Sequence, residues 1–299
     1  MASLIITGNR LGDAVLSTGV IAHAMAAGPV TIACGPVPAG LFAGVPGIER
    51  VISVSKQTFA RHWWRLWRET VGTRWSRVID LRGSALAWCL SAGERRVWRG
   101  DNQGHRVEQL GRLLGLEPPP APVVWPLPPA DARPMLGLGP TANFQGKQWP
   151  AERFVALSER LLHGPLTGVP VAVFASPAER AAAAPVLAAL PGAIDLIDTG
   201  DLRRVAGYLS HCRLFIGNDS GLMHLAAAAG APTLGLFGPS PDVHYRPWGP
   251  RAAFVRTTAA YEDLWREHKR DPATVATMMA SLSVDRAEAA ALELLARTS

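Results

Sequence analysis

The sequence predicts an α/β protein built from two Rossmann-like domains that face each other across a cleft. Short buried apolar runs alternate with stretches of helical periodicity, a proline-rich segment interrupts this alternation near mid-chain, and the alternation then resumes. Strands that alternate with helices form parallel sheets through βαβ units. The 299 residues are enough for two domains of about 130–170 residues each.

The first apolar run, residues 4–7, ends in glycine as a buried parallel strand does. Apolar residues at helical spacing follow over residues 13–25. Further apolar runs predict strands at 30–33, 51–54 and 78–81. These alternating segments predict the N-terminal Rossmann-like domain.

The proline-rich segment is 117–134, which contains eight prolines. Such a segment cannot form a helix, because proline lacks the amide hydrogen and clashes with the preceding turn. We expect a stiff, extended linker. The predicted domains are 1–128 and 129–299.

The second half repeats the alternation of strands and helices. Predicted strands lie at 135–138, 169–174, 214–217 and 232–237, and predicted helices lie at 152–162, 178–190, 202–209 and 222–229. After Arg256 the pattern is helical and rich in alanine. Open α/β sheets bind ligands at the carboxyl ends of their strands, so we expect the functional residues there.

Composition narrows the class of protein. Hydrophobic residues make up 48% and charged residues 18% of the chain, which argues against disorder. No apolar run approaches the roughly 20 residues of a membrane span, and the N-terminal apolar stretch lacks the basic region of a signal peptide. The three cysteines have neither metal-ligand nor disulfide spacing. We therefore expect a cytoplasmic protein with free thiols.

Net charge is confined to the N-terminal half. Residues 1–128 carry 14 Arg and Lys against 8 Asp and Glu, whereas residues 129–299 carry 16 of each class. This asymmetry predicts an acidic partner, either a phosphorylated glycolipid, an anionic membrane surface or a nucleic acid. A merely solubilising basic surface is the alternative.

The strongest local signal is Gly217-Asn-Asp-Ser-Gly-Leu-Met-His-Leu-Ala, where a strand meets a helix. Its residues at 218–220 are all good N-cap types, and the free N–H groups at such a helix start bind phosphate. Asp219 would repel a phosphate beside it, so a sugar hydroxyl suits it better. His224 lies one helical turn after Ser220. An ordinary capped helix is the alternative.

This motif, together with the following Gly235-Leu-Phe-Gly-Pro-Ser, resembles the signature of glycosyltransferase family 9, the ADP-heptose:lipopolysaccharide heptosyltransferase family. Leu11-Gly-Asp-Ala-Val-Leu-Ser-Thr resembles that family's N-terminal glycine–aspartate turn, and Gly146-Lys-Gln-Trp-Pro resembles its lysine–x–tryptophan–proline motif. The resemblance covers about residues 4–250, with Asp198-Thr-Gly-Asp-Leu also in the expected order. It implies the GT-B fold.

The resemblance also implies roles for individual residues. Asp13 matches the proposed general base, which takes a proton from the acceptor hydroxyl; a helix-dipole partner is the alternative. Lys147 matches the lysine on the donor diphosphate, where a cation offsets the charge of the leaving group. The implied donor-binding residues are Thr141, Asn143, Lys147, Glu179, Asp219, Ser220, Gly221 and His224. Of these, Glu179 would hold the nucleoside ribose, and polar loop surface is the alternative for the two residues at 141 and 143.

Three arginines form a third constellation, within Arg61-His-Trp-Trp-Arg-Leu-Trp-Arg. Arg61, Arg65 and Arg68 share one face of a predicted helix, and arginine with tryptophan suits an anionic glycolipid or a membrane interface. By analogy with the family's basic region, they would bind the acceptor. A surface helix with aromatic packing is the alternative, and no nucleic-acid motif accompanies them.

The prediction is an inverting, metal-independent transfer of heptose from ADP-heptose to an inner-core lipopolysaccharide precursor. The partners would be a nucleotide sugar and an anionic glycolipid acceptor, with peripheral contact at the cytoplasmic face of the inner membrane and no cofactor, metal or nucleic acid. Gly139-Pro-Thr-Ala-Asn replaces the family's usual proline–glycine–alanine start, which favours a different donor or acceptor as the alternative. A nucleotide-sugar epimerase and a non-catalytic sugar-nucleotide-binding protein are further alternatives. The oligomeric state is not indicated.

Overall fold

The computed structural model describes residues 2–270 and 277–298. The chain divides into two compact units: unit 1 comprises Met1–Trp125 with Asp201–Arg203, and unit 2 comprises Pro126–Gly200 with Arg204–Ser299. Each unit contains one parallel sheet flanked by helices. The predicted α/β fold with two Rossmann-like domains is therefore confirmed.

Unit 1 holds a five-stranded parallel sheet in the order β3-β2-β1-β4-β5. Its strands are β1 (Ser3–Ile6), β2 (Val30–Cys34), β3 (Ile48–Ser53), β4 (Trp75–Asp80) and β5 (Ala92–Val97). Its helices are α1 (Leu11–Leu16), α2 (Thr18–Met25), α3 (Pro36–Ala39), α4 (Arg61–Thr70) and α5 (Arg106–Leu114). The central strand β1 is buried along its whole length, as its apolar sequence predicts.

The predicted helix at 13–25 is two helices. Ser17 separates α1 from α2, because its hydroxyl donates to the Ala14 carbonyl at 2.7 Å and contacts the Thr7 hydroxyl at 2.7 Å. Side-chain bonds of this kind compete with the backbone ladder of a helix.

Unit 2 holds a six-stranded parallel sheet in the order β11-β10-β9-β6-β7-β8. Its strands are β6 (Met135–Gly139), β7 (Val171–Val173), β8 (Ile194–Asp195), β9 (Cys212–Asn218), β10 (Thr233–Phe237) and β11 (Ala252–Arg256). Its helices are α6 (Ala151–Leu162), α7 (Arg180–Ala189), α8 (Leu202–Leu209), α9 (Gly221–Ala228), α10 (Asp242–Tyr245), α11 (Tyr261–Arg270) and α12 (Val284–Thr298). The first two residues of α8 are counted with unit 1.

The core of unit 2 joins the central strands to helices from both ends of the unit's sequence. Trp149 and Phe154 pack edge to face, with ring centroids 5.2 Å apart. Both belong to one buried cluster with Leu294 of α12. The C-terminal helix is thus part of the core that supports the loops after β6 and β9.

The proline-rich linker packs closely against a glycine at two points along its length. A Cβ at Gly19 would lie 2.2 Å from the Pro120 carbonyl oxygen, and one at Gly207 would lie 2.2 Å from that of Leu127. In addition, the Thr18 hydroxyl accepts from the Val123 amide at 2.9 Å. The linker is extended, and its backbone lies directly on helix surfaces that only glycine leaves open.

None of the helices within residues 2–270 and 277–298 combines the length and apolar character that a bilayer crossing requires.

Candidate functional site

The candidate site of unit 2 lies where β6 and β9 end side by side. Gly139 pairs with Gly217 in the parallel register. A Cβ at either glycine would lie 2.7 Å from the ring of Phe215. Glycine at both positions therefore lets the ring pack under the strand ends, and the loops that follow the two strands start next to each other.

Asn218, the last residue of β9, ties these two loops together. Its amide nitrogen donates to the Pro140 carbonyl at 2.7 Å, and its amide oxygen accepts from the Trp149 backbone N–H at 3.0 Å. The side chain is fully buried. A buried amide with both partners is well stabilised, so Asn218 is a structural residue and does not cap α9.

Lys147 and Asp219, one from each loop, form an ion pair. The Lys147 Nζ lies 2.7 Å from the Asp219 Oδ2, and the two side chains are 23% and 10% exposed. His224 of α9 lies on the other side of the carboxylate, with its Nε2 4.0 Å from the Asp219 Oδ1. The structure thus brings together a cation, an acid and an imidazole that the sequence places in the donor-binding cluster.

Ser220 is the N-cap residue of α9 and has an extended backbone, but its side chain does not cap the helix. Its Oγ is buried and makes no hydrogen bond to any residue that the structure describes. Gly221 is the first residue of the helix, so free backbone N–H groups start here beside the ion pair. Such a helix start attracts anions.

The other predicted donor-binding residues differ in their surroundings. Thr141 follows β6 and is 2% exposed, whereas Asn143, two residues later, is exposed. Glu179 follows β7 in a short 3₁₀ turn, where its carboxylate accepts from the Ser176 N–H at 3.2 Å and from the Ser176 hydroxyl. The Glu179 carboxylate is therefore already used to close a helix N-terminus, and its ribose-binding role stays a prediction.

The loop that carries Lys147, residues 140–150, is here called the lysine loop. Residues from the C-terminal region support it, and the sequence did not indicate these contacts. The Gly146 carbonyl accepts from the Met278 N–H at 3.0 Å, and the Trp149 indole donates to the Leu282 carbonyl at 2.9 Å. Phe144 stacks on Trp265 of α11, with ring centroids 5.5 Å apart and an interplanar angle of 12°. These contacts fix the backbone on both sides of Lys147.

Asp13, the predicted base, lies in the first turn of α1 in unit 1 and is half-buried. A Cβ at Gly8 would lie 2.5 Å from the Asp13 Cβ. Residue 8, two positions after β1, must therefore be very small to leave room for this side chain. Sequence and structure place Asp13 at the carboxyl end of the central strand of its sheet.

A second polar group at this edge of unit 1 was missed in the sequence. Asp80, fully buried at the end of β4, accepts from the backbone N–H groups of Arg82 at 2.9 Å and Ser84 at 2.8 Å. The Arg82 guanidinium donates to Asn9 at 3.2 Å and covers the ring of Trp63 at 4.6 Å. Burial lowers the Arg82 pKa from its ordinary value, and the nearby Asp80 opposes that shift. The sequence signal that could have indicated this group was Asp80-Leu-Arg82, at the end of an apolar run.

The three predicted acceptor-binding arginines lie on α4 and are exposed. Arg65 pairs with Glu69 at 2.9 Å, one turn along the helix. The guanidinium of Arg68 lies 4.7 Å from the ring centre of Trp64, which is itself 60% exposed. The helix face therefore presents cations and an indole together, with part of the charge neutralised within the helix.

Over the part of the chain that the structure describes, no three His, Cys, Asp or Glu side chains cluster closely enough to hold a metal ion.

Comparison with known proteins places this arrangement in a family. The family model described as glycosyltransferase family 9 (heptosyltransferase) matches residues 121–273, half of the chain and nearly all of the candidate site in unit 2. Lipooligosaccharide heptosyltransferase 2 of Haemophilus influenzae is 31% identical over 130 residues, which are 42% of this chain and 37% of that protein. Lipopolysaccharide heptosyltransferase 2 of Escherichia coli K12 is 31% identical over 138 residues, 44% of this chain and 39% of that protein. The chain thus matches well under half the length of these relatives.

Solved structures extend the likeness of fold to the whole chain. A glycosyl transferase family 9 protein from Veillonella parvula has a TM-score of 0.80 at 21% identity, covering 99% of this chain and 97% of that one. The E. coli ADP-heptose lipopolysaccharide heptosyltransferase II has a TM-score of 0.76 at 18% identity, covering 100% and 99%. At these identities the likeness concerns the fold, whereas the family model covers half of the sequence itself. The chain belongs to glycosyltransferase family 9, the heptosyltransferase family.

Proposed function

We propose that this protein transfers a heptose from ADP-heptose to the inner core of a lipopolysaccharide precursor. The observation that carries the proposal is the Lys147–Asp219 ion pair beside the first turn of α9. A cation and free backbone N–H groups at one point suit a diphosphate, both when the donor binds and when the diphosphate departs. The relatives named above supply the identity of the sugar and of the acceptor.

Asp219 has a definite part in this scheme. Without donor, its carboxylate holds the Lys147 ammonium at 2.7 Å. A diphosphate carries more negative charge than one carboxylate, so it takes over the ammonium, and Asp219 turns to a sugar hydroxyl. Thr141, Asn143, Ser220, Gly221 and His224 complete the donor site in this proposal, and Glu179 binds the ribose. The hydroxyl, amide and backbone N–H groups among these residues donate to phosphate or sugar oxygens, and the Glu179 carboxylate accepts from ribose hydroxyl groups.

The reaction inverts the configuration at the anomeric carbon. Asp13 takes the proton of the acceptor hydroxyl as its oxygen attacks that carbon, and the bond to the diphosphate breaks. Lys147 and the start of α9 stabilise the charge that develops on the departing diphosphate, so the proposal requires neither metal nor cofactor. The overall products are ADP and the glycosylated acceptor.

The acceptor site is proposed for α4. Arg61, Arg65 and Arg68 would bind the acidic groups of the glycolipid, and the exposed Trp64 suits the boundary between lipid head groups and acyl chains. The protein would then act at the cytoplasmic face of the inner membrane as a peripheral protein. The excess of basic residues before position 129 supports this placement.

The test is ADP release from ADP-heptose by purified protein, with and without a deeply truncated lipopolysaccharide acceptor. Wild type should release ADP only when the acceptor is present, and Asp13→Asn, which keeps the side-chain shape, should lower that rate by about 100-fold or more, since general-base catalysis contributes 10²–10⁴-fold. Asp285→Asn, at an exposed residue of α12, is the matched control and should match wild type. Equal rates in Asp13→Asn and wild type would refute the base assignment.

A different donor or acceptor within the same family is the second candidate. It is favoured by the loop after β6, which reads Gly139-Pro-Thr-Ala-Asn-Phe and packs Phe144 against α11. Transfer from another nucleotide sugar, with none from ADP-heptose, would establish it. Turnover of donor without acceptor would indicate an epimerase, and donor binding without turnover would indicate a binding protein.

A further inference from the structure

The turn after β10, residues 238–242, is held rigidly on two sides. Arg256 of β11 donates to the Gly238 carbonyl at 3.2 Å and forms an ion pair with Asp242. From α11, the Trp265 indole donates to the Pro239 carbonyl at 2.7 Å. Since Trp265 also stacks on Phe144, this turn and the lysine loop share one support.

Ser240, at the centre of this turn, has a buried hydroxyl that makes no hydrogen bond within residues 2–270 and 277–298. The residue is 2% exposed, and its Oγ makes no hydrogen bond to any described residue. A buried hydroxyl in this state carries an uncompensated desolvation cost, which native proteins accept mainly where a ligand or water meets the group. Because the turn is held on both sides of Ser240, its backbone cannot easily shift to bring the hydroxyl to another protein partner.

The strand order shows where this hydroxyl lies relative to the rest of the site. β10 is the neighbour of β9 on one side, and β6 followed by β7 lie on the other. Ser240 follows β10, the Lys147–Asp219 pair lies at β6 and β9, and Glu179 follows β7. Adjacent strands are about 4.8 Å apart. Ser240 and Glu179 therefore lie on opposite sides of the ion pair along the carboxyl edge of the sheet.

We infer that the Ser240 hydroxyl binds a hydroxyl group of the transferred sugar and helps to select it. The inference rests on the proposed function, which puts the diphosphate at Lys147 and the ribose at Glu179. A nucleotide sugar has its diphosphate between nucleoside and sugar, so the sugar then lies on the β10 side. Ser220, the N-cap residue of α9 in the loop after the neighbouring strand β9, also has a buried Oγ that makes no hydrogen bond to any described residue.

The experiment compares donor and nucleotide binding in two variants and a control. Calorimetry measures the affinities for ADP-heptose and for ADP in wild type, Ser240→Ala, Ser240→Cys and Ser158→Ala. Ser158 is a fully buried serine of α6 whose hydroxyl donates to the Phe154 carbonyl at 2.8 Å, so the control also loses a buried hydroxyl from unit 2. Thermal unfolding without ligand is measured in parallel.

Both Ser240 variants should bind ADP-heptose about three- to tenfold more weakly, the effect of one hydrogen bond, and should bind ADP as wild type does. Ser240→Ala should unfold without ligand at the same or a higher temperature, because it loses an unpaired buried hydroxyl. Equal weakening for ADP and ADP-heptose would overturn the assignment to the sugar, as would unchanged affinity for both.

Failure of the proposed function gives a different result. If wild type does not bind ADP-heptose but binds another nucleotide sugar, the heptose proposal fails. The Ser240 variants are then compared on that nucleotide sugar and its nucleoside diphosphate. A selective loss for the sugar-bearing ligand supports the inference, and equal affinities refute it.

Discussion

Replacing Lys147 with methionine removes the ammonium but keeps most of the side-chain length, so it tests the ion pair on which the proposed donor site depends. The variant leaves the Asp219 carboxylate 10% exposed and without its cation. Surface pairs contribute about 0–1 kcal/mol, and removing one partner of a buried pair costs about 3–5 kcal/mol. With the two side chains 23% and 10% exposed, we expect a loss of about 2 kcal/mol.

The assay is thermal unfolding of the ligand-free protein. A loss of about 2 kcal/mol lowers the unfolding temperature of a domain of 150–250 residues by roughly 4–8 °C. Adding Asp219→Asn to Lys147→Met removes the unpaired charge, so the double variant should recover at least half of that loss. A Lys147→Met protein that unfolds within about 1 °C of wild type would show that the pair is not formed in solution.

The affinity for ADP tests the same ion pair in a second way, because removing the ammonium and removing the carboxylate should not change that affinity in the same direction. Lys147→Met should bind ADP about 10–100-fold more weakly, because a hydrogen bond to a charged group contributes about 1.5–3 kcal/mol. Asp219→Asn alone should bind ADP at least as tightly as wild type, since its carboxylate competes with the diphosphate for the ammonium. Weaker ADP binding in Asp219→Asn would refute the competition and assign the carboxylate a direct role in holding the nucleotide.

Two further predictions concern the framework. Trp149→Ala should lower the free energy of unfolding in urea by about 3–5 kcal/mol, because the ring is 2% exposed and its indole N–H donates to Leu282; a change below about 1 kcal/mol would contradict the packing described. A thiol-reactive dye should label one cysteine in the native protein and three after denaturation. Cys89 is exposed, whereas burial raises the pKa of Cys34 to about 12 and also raises the pKa of Cys212. Rapid labelling of more than one thiol in the native protein would contradict the burial of Cys34 and Cys212.

The central strands could be predicted from sequence, whereas three of the four edge strands could not. β1, β6 and β10 are buried throughout, so their sequences are continuous apolar runs. The missed strands β5, β8 and β11 all lie at sheet edges. An edge strand is half-exposed and accepts charge: β5 carries Glu94, which pairs with Arg77 at 2.7 Å. Nothing in such a sequence distinguishes it from a polar loop.

The candidate site divides in a similar way. Local motifs pointed to Lys147 and Asp219, and the structure brings their charged atoms to 2.7 Å. Their supporting contacts escaped prediction because they join segments far apart in sequence, such as Trp149 with Leu282 and Phe144 with Trp265. Periodicity and capping rules describe neighbours in sequence, and these aromatic contacts arise only when the sheet is assembled.

The hydrogen bonds of Asn218 have a consequence for any attempt to graft the proposed donor site onto another parallel sheet. Transplanting residues 217–224 alone would carry the acid, the helix start and the imidazole, but it would leave Pro140 and Trp149 behind. The Asn218 amide would then be buried without its donor or its acceptor, at a cost of about 1–3 kcal/mol for each unsatisfied group. The smallest portable unit is therefore the pair of adjacent loops after β6 and β9, moved together with the strands that set their spacing.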